Sequence, residues 1–327
     1  MKLVIVLHHR FELWNAPSWL PDRLRRDFPS ITVVHLKNYD RIDQELPDAD
    51  AAIAWSLRPE QIKHAKKLRW IHSPAAAVHQ LLFPELINSN VILTNARDIH
   101  GPVVAEHVIA LILALAKKIP QSVRLQMRHE WGQQALWDDK PPVREITGAT
   151  LGLLGFGSIG RETAKRANAL GMRVIAVREH AGKGGEGLAA VFGPNDLDRM
   201  LAESDYIALC APLTPQTQGL INADRLRHMK RNACLINVSR GPLVDEAALA
   251  DALRNRTIAA AALDVFSHEP LPADSPVWDL ENCLITPHTA AVTERLWERH
   301  YAQISENLRR FLTDQTLLGI VDKHKGY

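Results

Sequence analysis

The stretch Leu151-Gly152-Leu153-Leu154-Gly155-Phe156-Gly157-Ser158-Ile159-Gly160 decides the fold. Its first four residues are typical of a buried strand, and three glycines follow at the G-x-G-x-x-G spacing. Gly155 permits a tight turn, Gly157 lets the backbone approach a pyrophosphate, and Gly160 allows the next helix to pack on the sheet. That helix begins near Ser158 and points its first N–H groups at the phosphates. Strand, turn and helix together predict a dinucleotide site formed by all six residues 155–160.

The composition is that of a globular protein large enough for two domains. The chain has 327 residues, of which 46% are hydrophobic and 23% charged, with a formal net charge of +2. Basic residues alternate with acidic ones, which argues against nucleic-acid binding. The longest apolar run, Val108–Ala116, is far shorter than the roughly 20 residues of a membrane span. Cys210, Cys234 and Cys283 lack metal-ligand spacing, so we expect reduced core thiols, no bound metal and a cytoplasmic protein.

Strand-like and helix-like segments alternate, a pattern that predicts parallel sheets covered by helices. A first set of elements lies before residue 100, and a second begins at Thr150 and ends near Thr286. Between them we predict a helix at Val103–Lys118 and a loop that contains Trp131 and Trp137. A last helix is predicted within residues 293–313. The predicted strands of the first set are Leu3–Leu7, Thr32–Leu36, Ala51–Ala54, Leu68–Ile71 and Val91–Leu93.

The residue after the second strand of the nucleotide half bears on cofactor choice. That strand, Arg173–Val177, ends at Arg178, where NAD-specific enzymes usually carry an acidic residue. A guanidinium pairs with a 2′-phosphate that a carboxylate would repel, so Arg178 favours NADP(H). Glu179 is a competing carboxylate, and His180 and Lys183 follow it. Use of NAD(H), with Arg178 merely solvated, therefore remains the alternative.

Three short segments then place an Arg, a Glu and a His in fixed order. They are Asn237–Gly241, Leu263–Pro270 and Thr286–Ala290, and they contain Arg240, Glu269 and His288. Reduction of a 2-oxo acid requires a held carboxylate, a polarised carbonyl and a proton donor. The planar, permanently charged guanidinium of Arg240 can bind the carboxylate and polarise the carbonyl, and the imidazole of His288 can donate the proton. Each residue alone also fits an ordinary surface or turn position, so the prediction of an acid–base site rests on their joint occurrence.

With the glycine loop, these segments resemble the D-isomer-specific 2-hydroxyacid dehydrogenase family of the glyoxylate/hydroxypyruvate reductase type, over almost the whole chain. The resemblance implies an α/β fold of two Rossmann-like or flavodoxin-like domains with parallel sheets. The dinucleotide domain, residues 101–288, would be inserted into a discontinuous substrate domain of residues 1–100 and 289–327. Sequence pattern alone would have predicted two consecutive domains. The family's usual homodimer is also implied, with Val103–Ala116 in its interface.

The same resemblance assigns individual roles. Arg240 would bind and polarise the substrate, His288 would transfer the proton, and Glu269 would favour the imidazolium of His288. Further cofactor contacts would come from Ala211, Pro212 and Thr217 beneath the nicotinamide, from Asp264 at its carboxamide, and from Val238 beside it.

The substrate loop departs from the family pattern. The resemblance implies that backbone N–H groups of Ala76 and Ala77 bind the substrate carboxylate. Leu57 and Arg58 follow a predicted strand, and from that position we expect them to border the pocket. The family's glycine-rich loop is replaced here by Ser73-Pro74-Ala75-Ala76-Ala77-Val78-His79-Gln80. Alanine tolerates positive φ poorly, so the loop geometry and the identity of the substrate stay open, as does the role of His79.

The predicted function is NAD(P)H-dependent reduction of a small 2-oxo acid, such as glyoxylate or hydroxypyruvate, to the D-2-hydroxy acid. Glu269 argues against the related formate dehydrogenases, which have Gln at that position. One alternative is a D-3-phosphoglycerate-type dehydrogenase, for which Arg10, Arg58 and Arg97 are candidate phosphate ligands. The other is a nucleotide-sensing protein that resembles the C-terminal-binding-protein corepressors, since fold and catalytic residues do not guarantee a metabolic role. The expected partner is a small molecule, not a nucleic acid or a membrane.

Overall fold

The computed structural model describes residues 1–96, 98–179 and 187–326. The strands, in chain order, are β1 Lys2–Val6, β2 Thr32–Leu36, β3 Ala51–Ala54, β4 Trp70–Ser73, β5 Ile92–Asn95, β6 Thr150–Leu154, β7 Arg173–Val177, β8 Ala190–Phe192, β9 Tyr206–Leu209, β10 Cys234–Asn237, β11 Ala260–Leu263 and β12 Cys283–Ile285. The α-helices are α1 Trp19–Asp27, α2 Ile42–Glu45, α3 Pro59–His64, α4 Pro84–Ile87, α5 Gly101–Ala116, α6 Ile119–Met127, α7 Gln133–Asp138, α8 Ser158–Ala169, α9 Leu197–Glu203, α10 Ala223–His228, α11 Glu246–Arg254 and α12 Leu296–Leu312.

The chain forms two compact units, residues 1–100 with 293–327, and residues 101–292. The first unit contains a five-stranded sheet in the order β2-β1-β3-β4-β5, and neighbouring strands run parallel. This is the flavodoxin-like order. Residues 3–6 of β1 are buried on both faces of the sheet, as strands of parallel sheets are.

The C-terminal helix packs in the first unit. Ile304 and Leu308 of α12 are fully buried in the same apolar cluster as Leu20 and Leu24 of α1 and Trp70 of β4. One face of this sheet is thus covered by the first and the last long helices of the unit. Burial of the amphipathic face of α12 explains why a segment so late in the chain belongs to its first unit.

The second unit contains a seven-stranded sheet in the order β12-β11-β10-β9-β6-β7-β8, again with parallel neighbours. The predicted α/β class with two parallel sheets is confirmed. Carboxyl ends of parallel strands meet at one edge, and ligands of such sheets bind where the strand order reverses. Here the reversal lies between β6 and β9. The first residues beyond this edge include Gly155, Arg178, Cys210, Val238, Asp264 and Thr286.

Two local predictions were wrong. The strand expected at Leu68–Ile71 is β4, two residues later, because Leu68 is held in a turn by a hydrogen bond from its N–H to the carbonyl of Ala65. The segment expected to be a loop contains α7, which includes Trp137. In the described part of the chain, no helix combines the length and apolar character needed to cross a membrane.

Candidate active site

The three glycines of the loop between β6 and α8 have different local surroundings. Gly155 has φ +97°, and a Cβ there would lie 2.8 Å from the backbone nitrogen of Ala211. A Cβ at Gly160 would lie 2.6 Å from the carbonyl oxygen of Gly155. A Cβ at Gly157 would meet no atom within 4 Å. Packing and backbone conformation thus require glycine at 155 and 160, whereas Gly157 leaves open space that fits the close approach of a phosphate.

The helix that follows this loop is long enough to act on an anion. Helix α8 has 12 residues, and Gly157 is its N-cap. Its first N–H groups and its dipole favour negative charge at this end. The side chains of Phe156 and Ile159 pack against the hydrophobic core of the unit, so only their backbone N–H groups are candidates for phosphate contact. The described residues of the loop therefore fit a dinucleotide pyrophosphate.

Arg178 carries buried donors that have no acceptor among the residues that the structure describes. It follows β7 directly, and its backbone N–H bonds to the carbonyl of Phe192 at 3.1 Å. Its Nε and Nη2 are shielded from solvent, and neither has a hydrogen-bond partner among the described residues. Burying such donors unpaired is unfavourable, so the position fits an anion that would accept from both. Glu179 is exposed, and His180 and Lys183 lie outside the described residues.

The loop after β9 is held by its own side chains. The hydroxyl of Thr217 donates to the carbonyl of Pro212 at 2.7 Å and accepts from the N–H of Thr214 at 2.8 Å. The Oγ of Ser239 donates to the carbonyl of Ala211 at 2.5 Å, which ties this loop to the one after β10. Ala211 is 7% exposed and Val238 6%. The two loops that were assigned to the nicotinamide end thus form one hydrogen-bonded structure.

The turn after β10 sets the position of Arg240. The buried side chain of Asn237 donates from Nδ2 to the carbonyl of Arg240 at 3.0 Å and accepts from the N–H of Ser239 at 3.1 Å. A Cβ at Gly241 would lie 1.9 Å from the carbonyl carbon of Phe266, so this loop lies directly against the loop after β11. Burial lowers the pKa of Arg240, and the nearby charge of Glu269 opposes that shift. A guanidinium stays charged in a protein, so Arg240 presents a positive charge beside Glu269.

Glu269 and His288 form a hydrogen-bonded pair. The Nδ1 of His288 lies 2.5 Å from Oε2 of Glu269, and the N–H of Phe266 donates to Oε1 at 2.9 Å. Burial alone would raise the pKa of Glu269, but these two hydrogen bonds and the charges of His288 and Arg240 outweigh burial and lower it. Because Nδ1 faces Glu269, Nε2 is the ring nitrogen left for a substrate oxygen. The His288 side chain is 46% exposed, so the ring is accessible.

The backbone of His288 adopts a conformation that is rare for a residue with a side chain. Its φ is +54°, in the left-handed region. Such a conformation costs roughly 1–2 kcal/mol for a non-glycine residue and persists only where surrounding bonds impose it. The N–H of His288 donates to the carbonyl of Asp264 at 2.9 Å. The loop after β12 is therefore fixed by the end of β11.

Asp264 organises that loop with its side chain as well. Its carboxylate is 1% exposed and accepts from the hydroxyl of Thr286 at 2.6 Å and from the N–H groups of Thr289 and Ala290 at 2.9 and 3.0 Å. Both carboxylate oxygens are thus bonded to the loop that carries His288. The assignment of Asp264 to a nicotinamide carboxamide stays a prediction, and the structure adds this second role.

Sequence reasoning missed one residue of this network. His107 of α5 places Nε2 3.1 Å from the hydroxyl oxygen of Thr286 and 3.6 Å from Oδ1 of Asp264. The available signal was the polar pair Glu106-His107 within a mostly apolar helix, but nothing local relates His107 to residues so far along the chain.

The predicted substrate residues lie in the first unit, apart from Arg240. Ala76 and Ala77 are not among the described non-glycine residues with positive φ, so the expected conflict between alanine and loop geometry does not arise. The side chain of Asn95 donates to the carbonyl of Ala76 at 2.6 Å and holds the loop. Leu57 is 5% exposed and packs in the apolar core of the first unit, and its place at the border of the pocket stays a prediction.

The structure describes contacts for two of the three arginines that were candidate ligands of a substrate phosphate. Arg58 pairs with Asp43, with 2.8 Å between Nη2 and Oδ2. The guanidinium of Arg10 lies 4.7 Å from the ring centre of Phe11. Arg97 lies outside the described residues.

Comparison with known proteins identifies the family of this chain. The family model described as D-isomer specific 2-hydroxyacid dehydrogenase, NAD binding domain, matches residues 109–290. Glyoxylate/hydroxypyruvate reductase B of Serratia proteamaculans is 35% identical over 302 residues, which cover 90% of this chain and 89% of the relative. D-3-phosphoglycerate dehydrogenase of Methanocaldococcus jannaschii is 33% identical over 282 residues, covering 85% of this chain but 53% of the relative. The chain thus spans about half the length of that relative.

A solved structure extends the similarity to the whole chain. The D-isomer specific 2-hydroxyacid dehydrogenase of Xanthobacter autotrophicus Py2, in complex with NADPH and MES, is 31% identical with a TM-score of 0.84. The match covers 100% of this chain and 99% of that one. Sequence, fold and family match agree, and the protein belongs to the NAD(P)-dependent oxidoreductases of the D-isomer-specific 2-hydroxyacid dehydrogenase family.

Proposed function

We propose that this protein reduces a small 2-oxo acid, of the glyoxylate or hydroxypyruvate type, to the D-2-hydroxy acid with NADPH. The observation that carries the proposal is the arrangement of Arg240, Glu269 and His288 at the carboxyl edge of the second sheet. The Nδ1 of His288 bonds to Glu269, which leaves Nε2 for the substrate, and the half-buried guanidinium of Arg240 lies beside the pair. These are the groups that a carbonyl reduction requires.

The residues divide the chemistry as follows. The bound nicotinamide supplies the hydride that reaches the carbonyl carbon. Arg240 binds the carboxylate and polarises the neighbouring carbonyl oxygen through its planar fork. His288 donates the proton to that oxygen from Nε2, and the carboxylate of Glu269 stabilises the imidazolium before transfer. In the oxidation direction the neutral ring accepts the proton of the 2-hydroxyl.

The preference for NADPH is supported by Arg178. Its two buried donors without a described acceptor suit a 2′-phosphate. The Xanthobacter autotrophicus protein was solved with NADPH. NAD(H) is the competing cofactor, and it has no 2′-phosphate to accept from the two donors of Arg178.

A small substrate is favoured over a phosphorylated one. The Serratia proteamaculans relative, similar over nearly its full length, is named for glyoxylate and hydroxypyruvate. The phosphoglycerate dehydrogenase relative is matched over about half its length. The ion pair of Arg58 with Asp43 also reduces its availability to a substrate phosphate.

The test is a kinetic comparison of wild type, His288→Ala, Arg240→Lys and the control His228→Ala. His228 is an exposed histidine at the end of α10. NADPH and NADH oxidation is followed at 340 nm with glyoxylate, hydroxypyruvate, pyruvate and 3-phosphohydroxypyruvate. We expect turnover of a small 2-oxo acid that falls at least 100-fold in the two site variants, as general acid–base catalysis predicts, and is unchanged in the control.

Two results would reject the proposal. Unchanged turnover in His288→Ala would remove His288 from the reaction. Tight NADPH binding to the wild type without reduction of any of the four acids would favour the nucleotide-sensing alternative.

We also propose that the protein is a homodimer and that α6, α7 and the turn between them form its interface. Met127, Trp131 and Trp137 of this segment are 79, 93 and 71% exposed. Val104, Val108 and Ile112 of α5, the helix first expected there, are buried within their own unit. Large exposed apolar side chains at neighbouring positions favour a protein contact. Light scattering after size-exclusion chromatography should give a dimer for wild type and a monomer for Trp131→Glu, and a monomeric wild type would reject the proposal.

A further inference from the structure

The hydrogen bonds around Asp264 define the proton positions on His107 and Thr286. A hydroxyl has one proton, and the 2.6 Å contact with the Asp264 carboxylate places the Thr286 proton there, since an ionised carboxylate only accepts. The Thr286 oxygen must then accept from Nε2 of His107 at 3.1 Å. His107 is therefore protonated on Nε2, and it donates into the network.

His107 also lies close to Asp264 itself. The Asp264 carboxylate is 1% exposed, and three donors satisfy its oxygens: the Thr286 hydroxyl and the N–H groups of Thr289 and Ala290. Nε2 of His107 lies 3.6 Å from Oδ1, so His107 belongs to the group of donors that surrounds this buried acceptor. Leaving a buried acceptor without its donors is unfavourable.

We propose that His107 is a positioning residue for His288. By donating to Thr286 it keeps the Thr286 hydroxyl on Asp264, and Asp264 holds the N–H groups of the loop just beyond His288. This arrangement maintains the left-handed backbone of His288 and the contact of its Nδ1 with Glu269. The catalytic consequence rests on the proposed function, whereas the effect on the loop does not.

A positioning role of His107 predicts an effect on kcat rather than on cofactor binding. Without the donor, Thr286 can rotate away from Asp264, and the loop samples positions in which His288 points away from the reacting oxygen. A fraction of bound complexes then cannot transfer the proton, so kcat falls. The glycine loop and Arg178, which would hold the phosphates, lie beyond other strands and are untouched. Asp264, the predicted carboxamide contact, keeps its bonds to two backbone N–H groups, so the KM for NADPH should change little.

Two substitutions at position 107 separate the donor from the packing. His107→Phe keeps a ring of similar size but no donor, and His107→Gln keeps an N–H donor near the position of Nε2. Thr286→Val removes the hydroxyl from the other end of the contact. The control is His228→Phe, at an exposed site.

The first measurement is kinetic, with the best 2-oxo acid and NADPH. We expect His107→Phe and Thr286→Val to lower kcat about tenfold, the effect of one lost hydrogen bond, with the KM for NADPH within twofold of wild type. His107→Gln should recover most of the loss. Equal loss in His107→Phe and His107→Gln, or an unchanged kcat in both His107→Phe and Thr286→Val, would overturn the proposal.

The second measurement is amide hydrogen exchange of Thr289 and Ala290, whose N–H groups are bonded to Asp264. Exchange at both should accelerate about tenfold in His107→Phe and Thr286→Val, but not in His107→Gln or the control. This readout does not depend on turnover. If wild type reduces none of the acids, the proposed function fails while exchange still decides the positioning role. If wild type is active and exchange is unchanged in both variants, the positioning role alone is refuted.

Discussion

Replacing Arg178 by Gln tests the cofactor preference most directly. Two of its donors, Nε and Nη2, are buried and have no described acceptor. A hydrogen bond to a charged group contributes about 1.5–3 kcal/mol, so two such bonds to a 2′-phosphate contribute at least about 3 kcal/mol. Since about 1.4 kcal/mol corresponds to a factor of ten, the Kd for NADPH should rise by two orders of magnitude or more. The Kd for NADH, which has a hydroxyl there, should change less than threefold.

The assay is titration of each cofactor by fluorescence, followed by kcat/KM for both with one 2-oxo acid. Arg178→Lys is the matched control, because it keeps the charge but loses the planar fork and should fall between wild type and Arg178→Gln. The free energy of unfolding of the free protein should not fall in Arg178→Gln, since the substitution removes buried donors for which the described residues supply no acceptor. Equal weakening of NADPH and NADH would show that Arg178 serves the shared part of the cofactor, and unchanged NADPH affinity would refute the assignment.

Three further predictions follow from the loops. Gly241→Ala places a Cβ 1.9 Å from the backbone of Phe266, so the free energy of unfolding measured with urea should fall by about 3 kcal/mol. An unchanged urea midpoint would contradict this close packing of the two loops. In Gly157→Ala the new Cβ meets no described protein atom, so the free energy of unfolding should be unchanged. The Kd for the cofactor, measured by calorimetric titration, should rise at least tenfold, because the methyl group occupies space next to the phosphates. An unchanged Kd would show that Gly157 does not adjoin the phosphate site. The pKa of Glu269 lies below its ordinary value of 4.5, so the ionised carboxylate stabilises the fold above that value, and this contribution is lost as pH falls through the lowered pKa. Glu269→Gln should therefore reduce the pH dependence of the free energy of unfolding on the acid side. A pH dependence parallel to that of wild type would refute this role of Glu269.

The local motifs were readable from the sequence because each requirement is met within a few consecutive residues. The glycine spacing at 155–160 predicted strand, turn and helix, and α8 begins at Ser158 as expected. The strand predicted at Arg173–Val177 was also correct. Alternation of apolar and polar residues has a fixed period in each element, so such elements show in the sequence.

Strand boundaries beside turns were less predictable. Leu68 and Ile71 are both buried and apolar, but a backbone hydrogen bond holds Leu68 in a turn and β4 begins after it. Likewise Leu57 has the sequence context of a pocket residue and the surroundings of a core residue. Burial depends on which elements pack together, and a local pattern carries no information on that.

The sequence by itself determined the parallel α/β class, the glycine loop and the order of Arg240, Glu269 and His288, because these depend on short segments and on residue chemistry. Only the tertiary structure decided how those residues are held. Adjacent placement of β10, β11 and β12 brings three separated loops to one edge, and the left-handed backbone of His288 depends on a buried aspartate. His107 reaches that network from a helix 179 residues before Thr286. Hydrogen bonds over such separations form only when the sheet order is complete, so no local pattern could have predicted them.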